Sequence, residues 1–134
     1  SDGRFKENVV ENVSGLDFIL QLRPVTYTIN TEKLHNFNNK LSKSKKMKPE
    51  EYAAASAVVH TGFIAQEVEA TANKLHFDFD GIYKPTNATD NYSLSYAQFV
   101  VPLVKAVQEL NKKVEDQDAL IKNLTKRLEA LENK

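Results

Sequence analysis

From Val100 to Leu131 apolar residues recur at alternating intervals of three and four. Val100, Leu103, Val107, Leu110, Val114, Ile121, Leu124, Leu128 and Leu131 form the series, and Gln117 is its one polar interruption. This spacing predicts a helix with a narrow apolar seam. A helix packed only on its own domain explains the first two turns of that seam. Its continuation to the last residues predicts a coiled coil with other copies of the chain. Val or Ile at a with Leu at d by itself favours two strands. Gln117 in the seam costs stability and fixes register or oligomer state. Lys113 with Asp118, and Arg127 with Glu132, occupy successive g and e positions. In a parallel, in-register assembly each pair meets across neighbouring helices. Each is worth about 0.2–1 kcal/mol, which sets orientation more than stability.

The remaining chain is short. With 134 residues in total, the sequence fits one domain, or one small domain plus an extension. The 18 basic and 18 acidic residues cancel, which argues against a dedicated nucleic-acid binder. There is no cysteine, hence no disulfide framework, thiol nucleophile or cysteine zinc site. No apolar run reaches membrane-spanning length and no signal-peptide pattern opens the chain. An opening on Ser rather than Met reads as a processed or excised piece. Four sequons, at Asn12, Asn87, Asn91 and Asn123, are of the kind an Asn-rich sequence produces by chance, and one lies in the predicted coiled coil.

Residues 14–22 predict a short helix capped by Ser14, with Leu16, Ile19 and Leu20 on one face. Arg23-Pro24 ends it, because the residue before proline is pushed out of the helical region. Val25, Tyr27 and Ile29 alternate with Thr26 and Thr28, the pattern of a strand with one buried face. Residues 30–56 are rich in Asn and Lys, with Lys40, Lys43, Lys45, Lys46 and Lys48 crowded together, and read as a solvated, mobile insertion. A polyanion-binding patch is the sharper alternative, but no aromatic residues interleave to stack bases. Residues 56–62 are β-prone through Val58 and Val59, and Gly62 breaks the run. A helix follows with Ile64, Val68, Ala72 and Leu75 on one stripe. Residues 76–90 read as loop, and Asp78 and Asp80 lack the companions a calcium loop requires. Tyr92, Leu94 and Tyr96 alternate as a strand, or Ser95 and Gln98 form a capping box that starts the last helix. Pro102 then falls in the first turns or makes a kink.

Little here supports a multi-turnover enzyme. His35, His60 and His76 lie in unrelated segments without metal-ligand spacing, and no phosphate loop or nucleophile elbow is present. Ser1 and Lys6 remain. Serine needs an adjacent base, and a desolvated lysine can serve once it has lost its proton to burial or a cationic neighbour, for which Arg4 is the candidate. Five residues of extended chain span about 17 Å. Asp2-Gly3 is a turn signal able to fold Ser1 back towards Lys6; alternatively Lys6 serves a Ser of a neighbouring copy. As an isolated spacing, Ser followed by Lys five residues later is ordinary in any polar terminus.

Three segments together carry more. They are Ser1-Asp2-Gly3-Arg4-Phe5-Lys6-Glu7-Asn8-Val9, then Leu22-Arg23-Pro24-Val25-Thr26-Tyr27, then Gly62-Phe63-Ile64-Ala65-Gln66-Glu67-Val68, followed by Tyr96 and the heptad helix. In order and spacing the chain resembles the C-terminal intramolecular chaperone domain of endosialidases and related phage tail spikes and fibres. The resemblance implies a homotrimeric α+β domain: a small globular part over residues 1–101, and a parallel coiled-coil helix over 102–134. It implies three strands, against the two that the seam alone favours. It implies a chaperone that helps an upstream fibre or spike trimerise and fold, and is then released by self-cleavage at the Ser-Asp motif. Ser1-Asp2 is then the scissile region, Ser1 the nucleophile, and Lys6 matches the lysine of the dyad proposed in relatives. The activity would be that of a single-turnover serine endopeptidase needing no metal or cofactor. Val107, Leu110, Val114, Gln117, Ile121, Leu124, Leu128 and Leu131 would carry oligomerisation. The partners would be two further copies and the upstream part of the same polypeptide, with no nucleic acid and no membrane. The protein would be made in a bacterial host by a phage or prophage, and the chaperone would be absent from the mature virion. Such domains also occur in a eukaryotic membrane-bound transcription factor. A non-cleaving trimerisation module and a receptor-binding tip are the alternatives, and which bond beside Ser1 breaks is left open.

Overall fold

The computed structural model describes residues 1–40 and 44–134. Two compact units form, one from residues 1–20 with 99–134 and the other from 21–98. The architecture is α+β, with short strands and helices and one long C-terminal helix.

In the first unit, α1 (Leu16–Gln21) starts where Gly15 accepts the amide protons of Phe18 and Ile19. Its first amide, Leu16 N, donates to Glu109 Oε2 at 2.8 Å. A carboxylate from the long helix, rather than Ser14, thus meets an orphan donor of this helix end. Leu16 and Phe18 are buried, and Phe18 stacks on Phe99 with ring centroids 6.3 Å apart. The expected apolar face is corrected here. Phe18 replaces Leu20, which is 72% exposed. The larger ring takes the inward position of a six-residue helix.

The long helix, last in the chain, is α5 (Val100–Glu132). It follows a 3-10 turn, Tyr96–Phe99, and Pro102 sits in its first turn, where a missing N–H costs nothing. Pro102 and Ala106 are buried, and every residue from 111 onward is exposed. At 33 residues, α5 is about 50 Å long. Gly15 lies against it. A Cβ on Gly15 would meet Lys105 Cγ at 2.6 Å and the Ala106 nitrogen at 2.9 Å. Backbone cannot yield as a side-chain tip can, so Gly15→Ala should destabilise the domain by about 1–3 kcal/mol. Thermal unfolding of this variant checks it; an unchanged midpoint would mean the approach is not tight.

In the second unit, β1 (Val25–Thr28) pairs antiparallel with β2 (Val59–Gly62), Val25 opposite Gly62 and Thr28 opposite Val59. Between them the Asn- and Lys-rich stretch, expected as a solvated, mobile insertion, carries two helices. Asn30 Oδ1 caps α2 (Thr31–Asn38) by accepting from Lys33 N at 2.8 Å. Pro49 opens α3 (Pro49–Ser56), and Glu51 reaches back to Lys48 N at 2.7 Å. Thr31 Oγ1 donates to the Tyr52 carbonyl at 3.0 Å, and His35 meets the buried Tyr52 ring edge-on. Lys40, Lys45, Lys46 and Lys48 are exposed; Lys43 lies outside the described residues. The helix α4 (Ala65–Lys74) buries Val68 and Ala72 as its stripe predicts. The expected loop over 76–90 contains β3 (Ile82–Tyr83), which pairs with β4 (Ser93–Leu94).

Candidate functional site

The N-terminal residues form a single bend. Asp2 caps a 3-10 turn over Gly3–Phe5, with Phe5 N donating to the Asp2 carbonyl at 3.3 Å and Lys6 N to the Gly3 carbonyl at 3.2 Å. This is the turn that Asp2-Gly3 predicts. It returns the chain on itself, and Lys6 Nζ lies 2.6 Å from Ser1 Oγ as a hydrogen-bond donor. An extended chain would hold them about 17 Å apart. The two side chains that the sequence singles out are therefore in contact within one copy.

The Asp2 carboxylate does not face Lys6. Its Oδ1 accepts from Arg4 N at 2.9 Å and its Oδ2 from Arg4 Nη2 at 2.6 Å, with Nε shared between both oxygens. The Arg4 guanidinium holds the Asp2 carboxyl below its usual carboxylate range, and Asp2 raises Arg4 in return. Arg4 is thus occupied by Asp2, and its charge is answered there rather than directed at Lys6. Sequence reasoning missed this fork, although an acidic residue two before an arginine in a turn is its signal. No residue of the turn is buried, and Ser1 and Lys6 are both exposed. After Lys6 the chain turns again at Asn8, whose φ of 53° is in the left-handed region that Asn tolerates.

The other two marked segments form a scaffold in the second unit. Arg23, just before Pro24, grips Glu67 through Nη2 and through Nε at 3.1 Å. That hydrogen bond lowers the Glu67 carboxyl from its usual range. Tyr96 stacks on Phe63 and accepts the Phe63 amide proton at 3.0 Å. Gly62 leaves room for the Tyr96 hydroxyl, which any side chain there would strike. These motif residues hold one another in place.

The three histidines stay apart: His35 on Tyr52, His60 stacked on Tyr27, and His76 at the end of α4. Among the described residues no group of three acidic, His or Cys side chains could hold a metal. No helix among them is long and apolar enough to cross a membrane. The seam residues Val107, Leu110, Val114, Ile121, Leu124, Leu128 and Leu131 are exposed along α5, and Gln117 with them.

The model of the family described as chaperone of endosialidase matches residues 1–75. The chain belongs to this family. The matched stretch contains all three marked segments; Tyr96 and the heptad helix lie beyond it. No curated protein and no solved structure matches the chain significantly. A chaperone role follows from membership, and the family is classed among the peptidases.

Proposed function

We propose that this domain assembles three copies of its parent chain, guides the folding of a β-rich fibre or spike portion upstream, and is then released by self-cleavage beside Ser1. The observation that carries the cleavage reading is the 2.6 Å contact between Lys6 Nζ and Ser1 Oγ in a preformed turn. In the reacting state a neutral Lys6 amine takes the Oγ proton as Oγ bonds to a neighbouring carbonyl carbon. The lysine returns the proton to the departing amine, and water hydrolyses the ester to a carboxylate and the free hydroxyl. If the bond before Ser1 breaks, Oγ can attack within its own chain. If the Ser1–Asp2 bond breaks, attack on Ser1's own carbonyl would close a strained lactone, and the Oγ of a neighbouring copy is better placed.

The assembly reading draws on α5. A helix with an exposed apolar seam over more than four heptads gains by pairing. Near its start the apolar face is broader than the seam, because Val101 and Val104 are exposed beside Val100 and Leu103. A two-stranded coil covers little beyond a and d, so this width favours the three strands that the family resemblance implies. Asp118 has a partner within its own helix, Lys122 at 2.9 Å, which competes with a pairing to Lys113 of a neighbour. Orientation therefore rests more on the globular units than on that pair.

The physical need is clear. Interwoven β-fibres fold slowly, because non-local pairings cost closure entropy before they yield contacts. A parallel coil beyond the fibre end raises the effective concentration of three chains in register. Removing it afterwards leaves a product protected by its unfolding barrier. The intact mass of the natively purified full-length parent tests this, with and without Ser1→Ala. Two fragments that become one in the variant are the expected result. One full-length species in both would instead favour a permanent trimerisation module.

A further inference from the structure

We infer that Arg4 is a positioning residue: by clamping Asp2 it fixes the bend that sets Ser1 Oγ against Lys6 Nζ. The inference rests on the cleavage reading above and deepens it. The bend has few other supports. None of its residues is buried, so no core holds it. Gly3 has no positive φ and open space where a Cβ would be, so neither glycine's conformational freedom nor packing imposes the turn. Only two longish backbone hydrogen bonds, at 3.3 and 3.2 Å, close it. A turn this short is marginal in water without further contacts.

Besides the Lys6–Ser1 contact itself and the Arg4 guanidinium 5.8 Å from the Phe5 ring centroid, what remains is the fork. Both Asp2 oxygens are engaged by Arg4, one of them through the backbone amide that a capping residue serves. An exposed ion pair is ordinarily weak, but a planar guanidinium meeting both oxygens fixes direction as well as distance. Direction is what the dyad needs, since a reacting pair displaced by about 1 Å can lose about a hundredfold in rate. Lysine cannot copy this geometry, because its ammonium is a single point charge without a fork.

The competing role for Arg4 is electrostatic, a positive neighbour that helps Lys6 lose its proton. The charged groups of the turn are Asp2, Arg4, Lys6 and Glu7. With Asp2 on Arg4, the pair presents little net charge to Lys6. The two roles separate in a pH–rate profile. In the full-length chain, Arg4→Ala should lower the single-turnover cleavage rate by about tenfold to a hundredfold at every pH, with the midpoint of the profile unmoved. Arg4→Lys should recover only part of the loss. Assembly, followed by sedimentation, should be unchanged, because nothing in the turn is buried.

An unchanged rate in Arg4→Ala would overturn the inference. So would an alkaline shift of the midpoint, which assigns Arg4 to electrostatics, or full recovery in Arg4→Lys, which makes charge alone sufficient. Loss of assembly would make its role structural. Ser1→Ala is run alongside. If it blocks cleavage while Arg4→Ala does not slow it, the inference falls and the cleavage reading stands. If Ser1→Ala is cut at the normal rate, both fall.

Discussion

Lys6→Ala in the full-length chain should leave the polypeptide uncut, with cleavage slowed by about a hundredfold to ten-thousandfold, the range over which a positioned general base contributes. Lys6 contacts Ser1 Oγ at 2.6 Å, and no other side chain among the described residues hydrogen-bonds that oxygen. Lys6→Arg makes the test sharper. Arginine keeps the positive charge and can donate to Oγ, yet it does not give up its proton in proteins. A base is therefore lost in both variants, whereas a cationic anchor is lost only in Lys6→Ala. Cleavage that fails in both supports proton abstraction by Lys6. Cleavage retained in Lys6→Arg makes the lysine a hydrogen-bonding cation and moves the base elsewhere. Efficient cleavage in Lys6→Ala would end its role in the reaction. Mass spectrometry of the purified chain after a fixed interval reads all three outcomes.

The contact between Lys6 and Ser1 was legible because the bend that makes it is local. Asp2-Gly3 signals a turn, and a turn there has few places to put Ser1 except near Lys6. Its clamp was less legible, since Arg4 could equally have faced Lys6. Strand β1 and helix α4 followed from periodicity, and Arg23-Pro24 separated helix from strand where the structure does. The two helices of the insertion were not legible, for a physical reason. Its Lys and Asn content describes a solvated surface, and a helix pair this small is mostly surface. What folds it is a handful of caps, Asn30 on Lys33 N and Glu51 on Lys48 N, around one buried ring, Tyr52. Composition averages over such signals. Leu20 and Phe18 show the same limit at the level of a single turn. Periodicity over six residues cannot say which of two apolar neighbours faces in, and the partner that decides, Phe99, is distant in sequence. The carboxylate that meets the start of α1 comes from Glu109, which no local pattern around Ser14 could reveal.

Leu124→Asp should abolish stable assembly and reduce cleavage with it. Leu124 is a d residue of the seam, 44% exposed in one copy, well beyond the part of α5 that touches its own unit. Burying a leucine stabilises by about 1.5–3 kcal/mol per chain, and a three-fold coil counts that loss three times. In the proposed trimer the substitution would also bring three carboxylates to one axis, where a like-charge cluster out of water is strongly unfavourable. Each copy should still fold, because both the turn at Ser1 and the core around Phe18 lie far along the chain from the change. Sedimentation should then report monomers with preserved near-ultraviolet circular dichroism. If neighbouring copies take Lys6 out of water, or supply the Ser1 that it serves, those monomers should remain uncut although their dyads are intact. Normal cleavage in monomers would sever the link between assembly and release, leaving the turn sufficient by itself. A trimer that survives the substitution would show that the globular units, and not the seam, hold three copies together.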